Sequence, residues 1–165
     1  MVLKEFQEKN LANMYAELFE KALSFVLRWE GGYVCHPNDL GGATNRGITQ
    51  NTYNEWLHSK GLDKKDVRRL TEDEAKQIYY ENYWLKAKCN QMSPKFAVLA
   101  FDTAVNMGIS RVNEFMCAAH WLHPDKFIKA REEKYRQFAK VKGQEVFLKG
   151  WLNRLDALKD FIKTL

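Results

Sequence analysis

Five of the nine glycines in this chain fall between residues 31 and 49, along with Pro37 and Asn38-Asp39. Glycine reaches backbone angles that other residues avoid, so such a cluster reads as turns around one or two short strands. Tyr33-Val34 and Gly47-Ile48-Thr49 are the strand candidates. Elsewhere the chain is punctuated for helices. The predicted architecture is therefore mainly α, with a small β-hairpin flap after the first helix.

The helix signals are specific. Thr49 can cap a helix carrying Tyr53, Trp56 and Leu57 that stops at Gly61. Thr71 and Glu74 form a capping box, with Leu70 as the staple residue before it, and the helix that follows carries Ala75, Ile78 and Tyr79 to about Trp84. Ser93-Pro94 opens another, since proline suits the first helical position. Residues 95–107 are apolar on nearly every side, which is the pattern of a helix buried at the centre of a domain. Gly108 ends it, and Ser110 can cap the next. Pro124 breaks the chain again. Two further helices follow, one through Phe127, Ile128, Arg131, Tyr135 and Phe138, the other through Trp151, Leu155, Leu158 and Ile162.

Glu30 lies where an amphipathic helix runs into the glycine-rich segment. Phe19, Leu23, Val26 and Leu27 precede it by eleven, seven, four and three residues. These spacings put all five side chains on one helical face. Apolar neighbours and the negative end of the helix dipole both favour a neutral carboxyl, so the Glu30 pKa is expected to be raised. A protonated carboxylic acid is what a glycosidase needs to protonate its leaving-group oxygen. A glutamate in the last turn of a helix is more often a solvated residue, and Gly31 or Gly32 can act as an ordinary helix terminator. The apolar stripe leading into Glu30 argues for the acid.

Asp39 stands nine residues beyond Glu30, with Thr44, Asn45, Arg46 and Thr49 after it. A carboxyl at a helix end facing a second on a hairpin could flank a sugar chain. A separation of about 5–5.5 Å would imply retention of configuration and about 6.5–9.5 Å inversion. Ordinary turn chemistry also explains an aspartate before two glycines. Asp102 and Asn106 stand four apart on the apolar central helix, where buried polar groups need partners. Asp102 reads as a structural knot, bonded to the hairpin or Arg46, and Asn106 as a residue lining the cleft. Among the aromatic residues Tyr33 is the candidate sugar platform. Trp56, Tyr79, Tyr80 and Trp84 read mostly as core.

With 165 residues, 45% of them hydrophobic, the chain can build a real core. No apolar run could span a bilayer. The charges scattered through Lys4, Glu5, Glu8 and Lys9 do not make a signal peptide, so synthesis in a cytoplasm with later release or export is expected. Cys35, Cys89 and Cys117 are odd in number and lack CxxC spacing, which favours reduced thiols. His120 and His123 share a face without further ligands, so no metal and no cofactor is expected. The net charge of +5 is uneven: eleven Lys/Arg against five Asp/Glu follow from Lys126 onward. A basic C-terminal third suits an anionic partner such as a cell wall, and equally a solvated surface. A nucleic-acid ligand is disfavoured because no basic–aromatic recognition motif is present.

Glu30-Gly31-Gly32-Tyr33, Pro37-Asn38-Asp39 and the run Gly41 to Thr49 together resemble the signature of glycoside hydrolase family 108. These are lysozyme-like N-acetylmuramidases, common as phage endolysins and bacterial cell-wall enzymes. Phe101 to Gly108 and Gly150-Trp151-Leu152-Asn153-Arg154 extend the resemblance, which covers roughly residues 20–160. It implies a lysozyme-like α+β domain over residues 1–165, with a catalytic part at about 13–107. The helical C-terminal part, about 108–165, is of the kind described as peptidoglycan-binding. It implies cleavage of the β-1,4 bond between N-acetylmuramic acid and N-acetylglucosamine in peptidoglycan, by a monomer, without membrane insertion. Glu30 falls on the family's catalytic glutamate. Asp39 and a threonine, Thr44 or Thr49, match the phage-lysozyme pattern, with Tyr33, Asn45, Arg46 and Asn106 as substrate contacts. Cys35-His36 and Leu40 depart from the family pattern and leave the hairpin's shape open. A non-catalytic wall-binding or structural protein on the same fold is the rival reading.

Overall fold

The computed structural model describes residues 2–31 and 43–165. They fall into two compact units, one ending at Leu85 and the other spanning Lys86–Leu165. The candidate strand Tyr33-Val34 lies outside the described residues.

The first unit opens with α1 (Val2–Trp29). Residues 7–14 are exposed, Leu11 and Met14 included, and burial begins at Leu18 and Phe19. From there the expected stripe is buried through Leu23 and Val26, with Leu27 and Glu30 half-buried at its end. The Glu30 amide closes the last turn on the Val26 carbonyl at 3.1 Å. The flap is a two-stranded antiparallel hairpin, β1 (Thr44–Asn45) and β2 (Ile48–Thr49), with Thr44 opposite Thr49 and Asn45 opposite Ile48. Its two-residue turn places Arg46 at φ 52° and Gly47 at φ 74°. Positive φ at both positions is the signature of the primed turn that matches strand twist.

Thr49 ends β2 and caps α2 (Gln50–Ser59), its hydroxyl accepting from the Thr52 amide at 3.2 Å. A 3-10 turn at Val67–Arg69 is tied to the hairpin and to α2 by side chains. Asn45 Nδ2 donates to the Val67 carbonyl at 3.0 Å, and the Val67 amide donates to Gln50 Oε1 at 2.7 Å. The capping box of Thr71 and Glu74 opens α3 (Glu72–Tyr79), with both reciprocal bonds present and Leu70 buried beside it. The chain then continues as a π-helical stretch, Tyr80–Leu85. Phe19 packs edge-on to Tyr80 and Trp84, with ring centroids 5.1 and 5.4 Å apart.

The second unit is built around α4 (Pro94–Met107), buried without interruption from Phe96 to Ala104. That is the all-round apolar helix expected from the sequence. Against it pack α5 (Ile109–Ala118), α6 (Pro124–Phe138) and α7 (Leu148–Lys163). Gly108, at φ 88°, separates α4 from α5 by itself, so Ser110 sits inside the first turn of α5 instead of capping it. Among the described residues, no helix is long and apolar enough to cross a membrane.

Asp102 is completely buried on α4, and the structure corrects its expected partners. It is paired with Arg154 Nε and Nη2 at 3.0 and 2.8 Å, and with Arg131 Nη2 at 2.7 Å. Both arginines belong to the basic C-terminal third that begins at Lys126. Both are buried, and they turn inward because a carboxylate on an apolar helix must be compensated. Burial raises the Asp102 pKa, but the two guanidinium groups outweigh it and hold the carboxyl below its usual range. Arg131 also donates to Thr103 Oγ1 at 3.0 Å and to the Tyr135 hydroxyl at 2.8 Å.

Candidate active site

Three elements of the first unit bring side chains to Glu30. The end of α1 supplies the carboxylate itself. The primed turn supplies Gly47, whose missing side chain leaves room for it: a methyl group there would come within 2.9 Å of Glu30 Oε2 and 2.6 Å of the Tyr79 hydroxyl. The end of α3 supplies Tyr79, which donates to the Arg46 carbonyl at 2.8 Å and so fixes the turn. The Tyr83 ring lies 5.6 Å from that of Tyr79, centroid to centroid. The Tyr83 phenol pKa is pushed up by burial first, and then by the negative charge of Glu30. A carboxylate is thus held half-buried against a hairpin turn, with two phenol rings beside it.

The other candidates separate by what they already do. Thr49 spends its hydroxyl on the α2 cap and on a 3.0 Å bond with the Thr52 hydroxyl. Thr44 is half-buried on β1, opposite Thr49. Asn45 gives its amide nitrogen to Val67, and the Arg46 carbonyl is taken by Tyr79. Asn106 is half-buried in the second unit, where its carboxamide oxygen accepts from the Tyr135 hydroxyl at 2.5 Å. Tyr33 and Asp39 lie outside the described residues. Trp56 is core: its indole nitrogen donates to Glu81 at 3.0 Å and its ring stacks on Tyr53. By its sequence pattern Tyr79 reads as a core aromatic, and Tyr83 is not among the residues the sequence marks. The spacing of four puts the two on one helical face, but nothing local to them reports their approach to Glu30.

The sequence profile of the family described as Glycosyl hydrolase 108 matches residues 23–108, just over half of the chain. The chain belongs to the glycosyl hydrolase 108 family. Glu30, Gly47, Tyr79 and Tyr83 all lie inside the matched span. Among solved structures the chain is similar to SagA of Brucella abortus, at a TM-score of 0.71 and 28% sequence identity. That match covers 88% of this chain and 94% of the other. A comparison with curated proteins finds no match. This glycosyl hydrolase 108 member is therefore a glycoside hydrolase with a mainly α, lysozyme-like fold.

Proposed function

We propose that this glycoside hydrolase is a muramidase, cutting the β-1,4 bond between N-acetylmuramic acid and N-acetylglucosamine in peptidoglycan. The observation that carries the reading is the Glu30 carboxyl lying against the hairpin turn at Gly47, a turn that Tyr79 fixes through the Arg46 carbonyl. In this role Glu30 delivers its proton to the bridging oxygen as the bond from that oxygen to the anomeric carbon breaks. Positive charge then develops on the sugar ring. Asp39 stabilises it or orients the incoming water, and the Glu30–Asp39 separation sets the configuration of the product. Thr49 is committed to its cap, so hydroxyl assistance falls to Thr44. Tyr33 and Arg46 contact the sugars. The enzyme works as a monomer and reaches the wall after release or export.

The basic C-terminal helices support attachment to an anionic wall, though by less than the raw count suggests. Arg131 and Arg154 are buried, which leaves nine Lys/Arg against five Asp/Glu from Lys126 onward. Salt should weaken an attraction of this kind.

The test compares the chain with Glu30→Gln, which keeps the side chain's shape. Purified peptidoglycan is digested, and the products are weighed by mass spectrometry. Reducing muramic ends from the parent chain are expected, with a rate loss of roughly 10²–10⁴-fold in the variant. Equal digestion by both proteins would exclude Glu30 as the acid. Anhydro-muramic ends would make the enzyme a lytic transglycosylase.

A further inference from the structure

The second unit contains a groove of about 380 Å³ that the proposed reaction does not use. Lys86, Lys88, Gln91, Met92, Asn113 and Trp121 line most of it, and no carboxylate among the described residues does. The volume falls within the usual range for small-ligand sites. Trp121 is 54% exposed, unusual for the largest aromatic side chain.

Two of its lining residues are held in left-handed backbone, Lys88 at φ 58° and Trp121 at φ 57°. The helix end explains only His120. His120, at φ 49°, closes α5 with its amide on the Cys117 carbonyl and the next amide on Met116, a Schellman closure that needs one left-handed residue. Trp121 is the second in a row. A bulky residue in this region is strained, and such strain gathers where a fold presents side chains for binding. Here it holds a tryptophan at the wall of a concave surface that Lys86 and Lys88 also line.

The groove's chemistry selects a ligand class. An indole face packs on the apolar CH face of a pyranose ring. The amides of Gln91 and Asn113 can both donate to and accept from hydroxyl or acetamido groups. Lys86 and Lys88 act as point charges suited to an anion. We infer that this groove binds a pyranose ring bearing an anionic arm, either a carboxylate or a phosphate. The binding belongs to a unit that does not contain Glu30. It rests on the wall reading only for where such a sugar would come from.

The experiment follows the Trp121 indole resonance in the full-length chain by NMR, assigned through its loss in Trp121→Phe. The probes are N-acetylmuramic acid, N-acetylglucosamine and N-acetylglucosamine 6-phosphate. At least one charged sugar should shift the resonance at roughly tenfold lower concentration than the neutral one. A response to N-acetylmuramic acid alone identifies the carboxylate, and a response to both charged sugars identifies any anion. The double variant Lys86→Gln, Lys88→Asn should abolish the difference, asparagine being chosen because it tolerates left-handed backbone. Equal affinity for charged and neutral sugars, or no shift at any soluble concentration, overturns the inference. The outcome is independent of the muramidase reading. Wall digestion without a Trp121 response sinks only the groove, and a Trp121 response without wall digestion sinks only the muramidase.

Discussion

Gly47 is the residue on which the candidate site depends most narrowly. Its φ of 74° is unfavourable for any side chain, and the space a β-carbon would take is already held by Glu30 and Tyr79. Gly47→Ala should therefore cost more than the roughly 1–2 kcal/mol of a left-handed alanine, since the carboxylate must move as well. Thermal melting and the rate of wall digestion should fall together. Unchanged values in both would show that the turn does not hold Glu30. Tyr83 offers a second test. The Glu30 charge contributes to its raised phenol pKa, after burial. Replacing Glu30 with glutamine removes that charge, so the Tyr83 ionisation should move to lower pH without reaching the ordinary tyrosine value. Ultraviolet titration of the tyrosinate band, with Tyr83→Phe as the blank, reads this directly, and an unmoved transition would place the two groups out of electrostatic reach.

At the scale of elements, Thr49 serves as the cap of α2 whatever else it does. Thr49→Ala should destabilise the protein by about 1 kcal/mol, while Thr49→Asn, another good cap, should restore the stability. If wall digestion recovers along with stability in the asparagine variant, the hydroxyl has no chemical role. Failure of stability to recover would remove the capping argument. Capping chemistry is also what made this fold legible. Thr49, Thr71 with Glu74, and Ser93-Pro94 mark helix starts by local bonds or by ring geometry, and local bonds can be read from neighbours in sequence. The same logic misplaced Ser110, because Gly108 alone turned the chain and left no cap position to fill. Glu30 could be singled out because its face repeats at helical spacing. Its neighbours Tyr79 and Tyr83 could not, because they meet it only through folding of the chain between. Asp102 is legible as a buried polar residue, but its partners are 29 and 52 residues away. No periodicity reports a contact of that kind.

For the molecule as a whole, the buried charges of the second unit govern its response to acid. Asp102 has a lowered pKa in the folded state, because its two arginines outweigh burial. Its contribution to stability is therefore complete above the unfolded carboxylate value of about 3.9 and is lost as pH falls through the lower folded value. Denaturant melts between neutral pH and about pH 3 should show this decline, and Asp102→Asn should flatten that part of the curve. The variant should also be destabilised at neutral pH by about 3–5 kcal/mol, since two buried guanidinium groups lose their counter-charge. A parent and variant with parallel pH curves would contradict the assignment. The same triad ties the last helix to the first of its unit. Arg154 follows Asp102 by 52 residues, and until α7 has been synthesised Asp102 and Arg131 have no complete arrangement to settle into. A messenger truncated before α7 should yield no shorter version of this unit, only a chain that quality control removes.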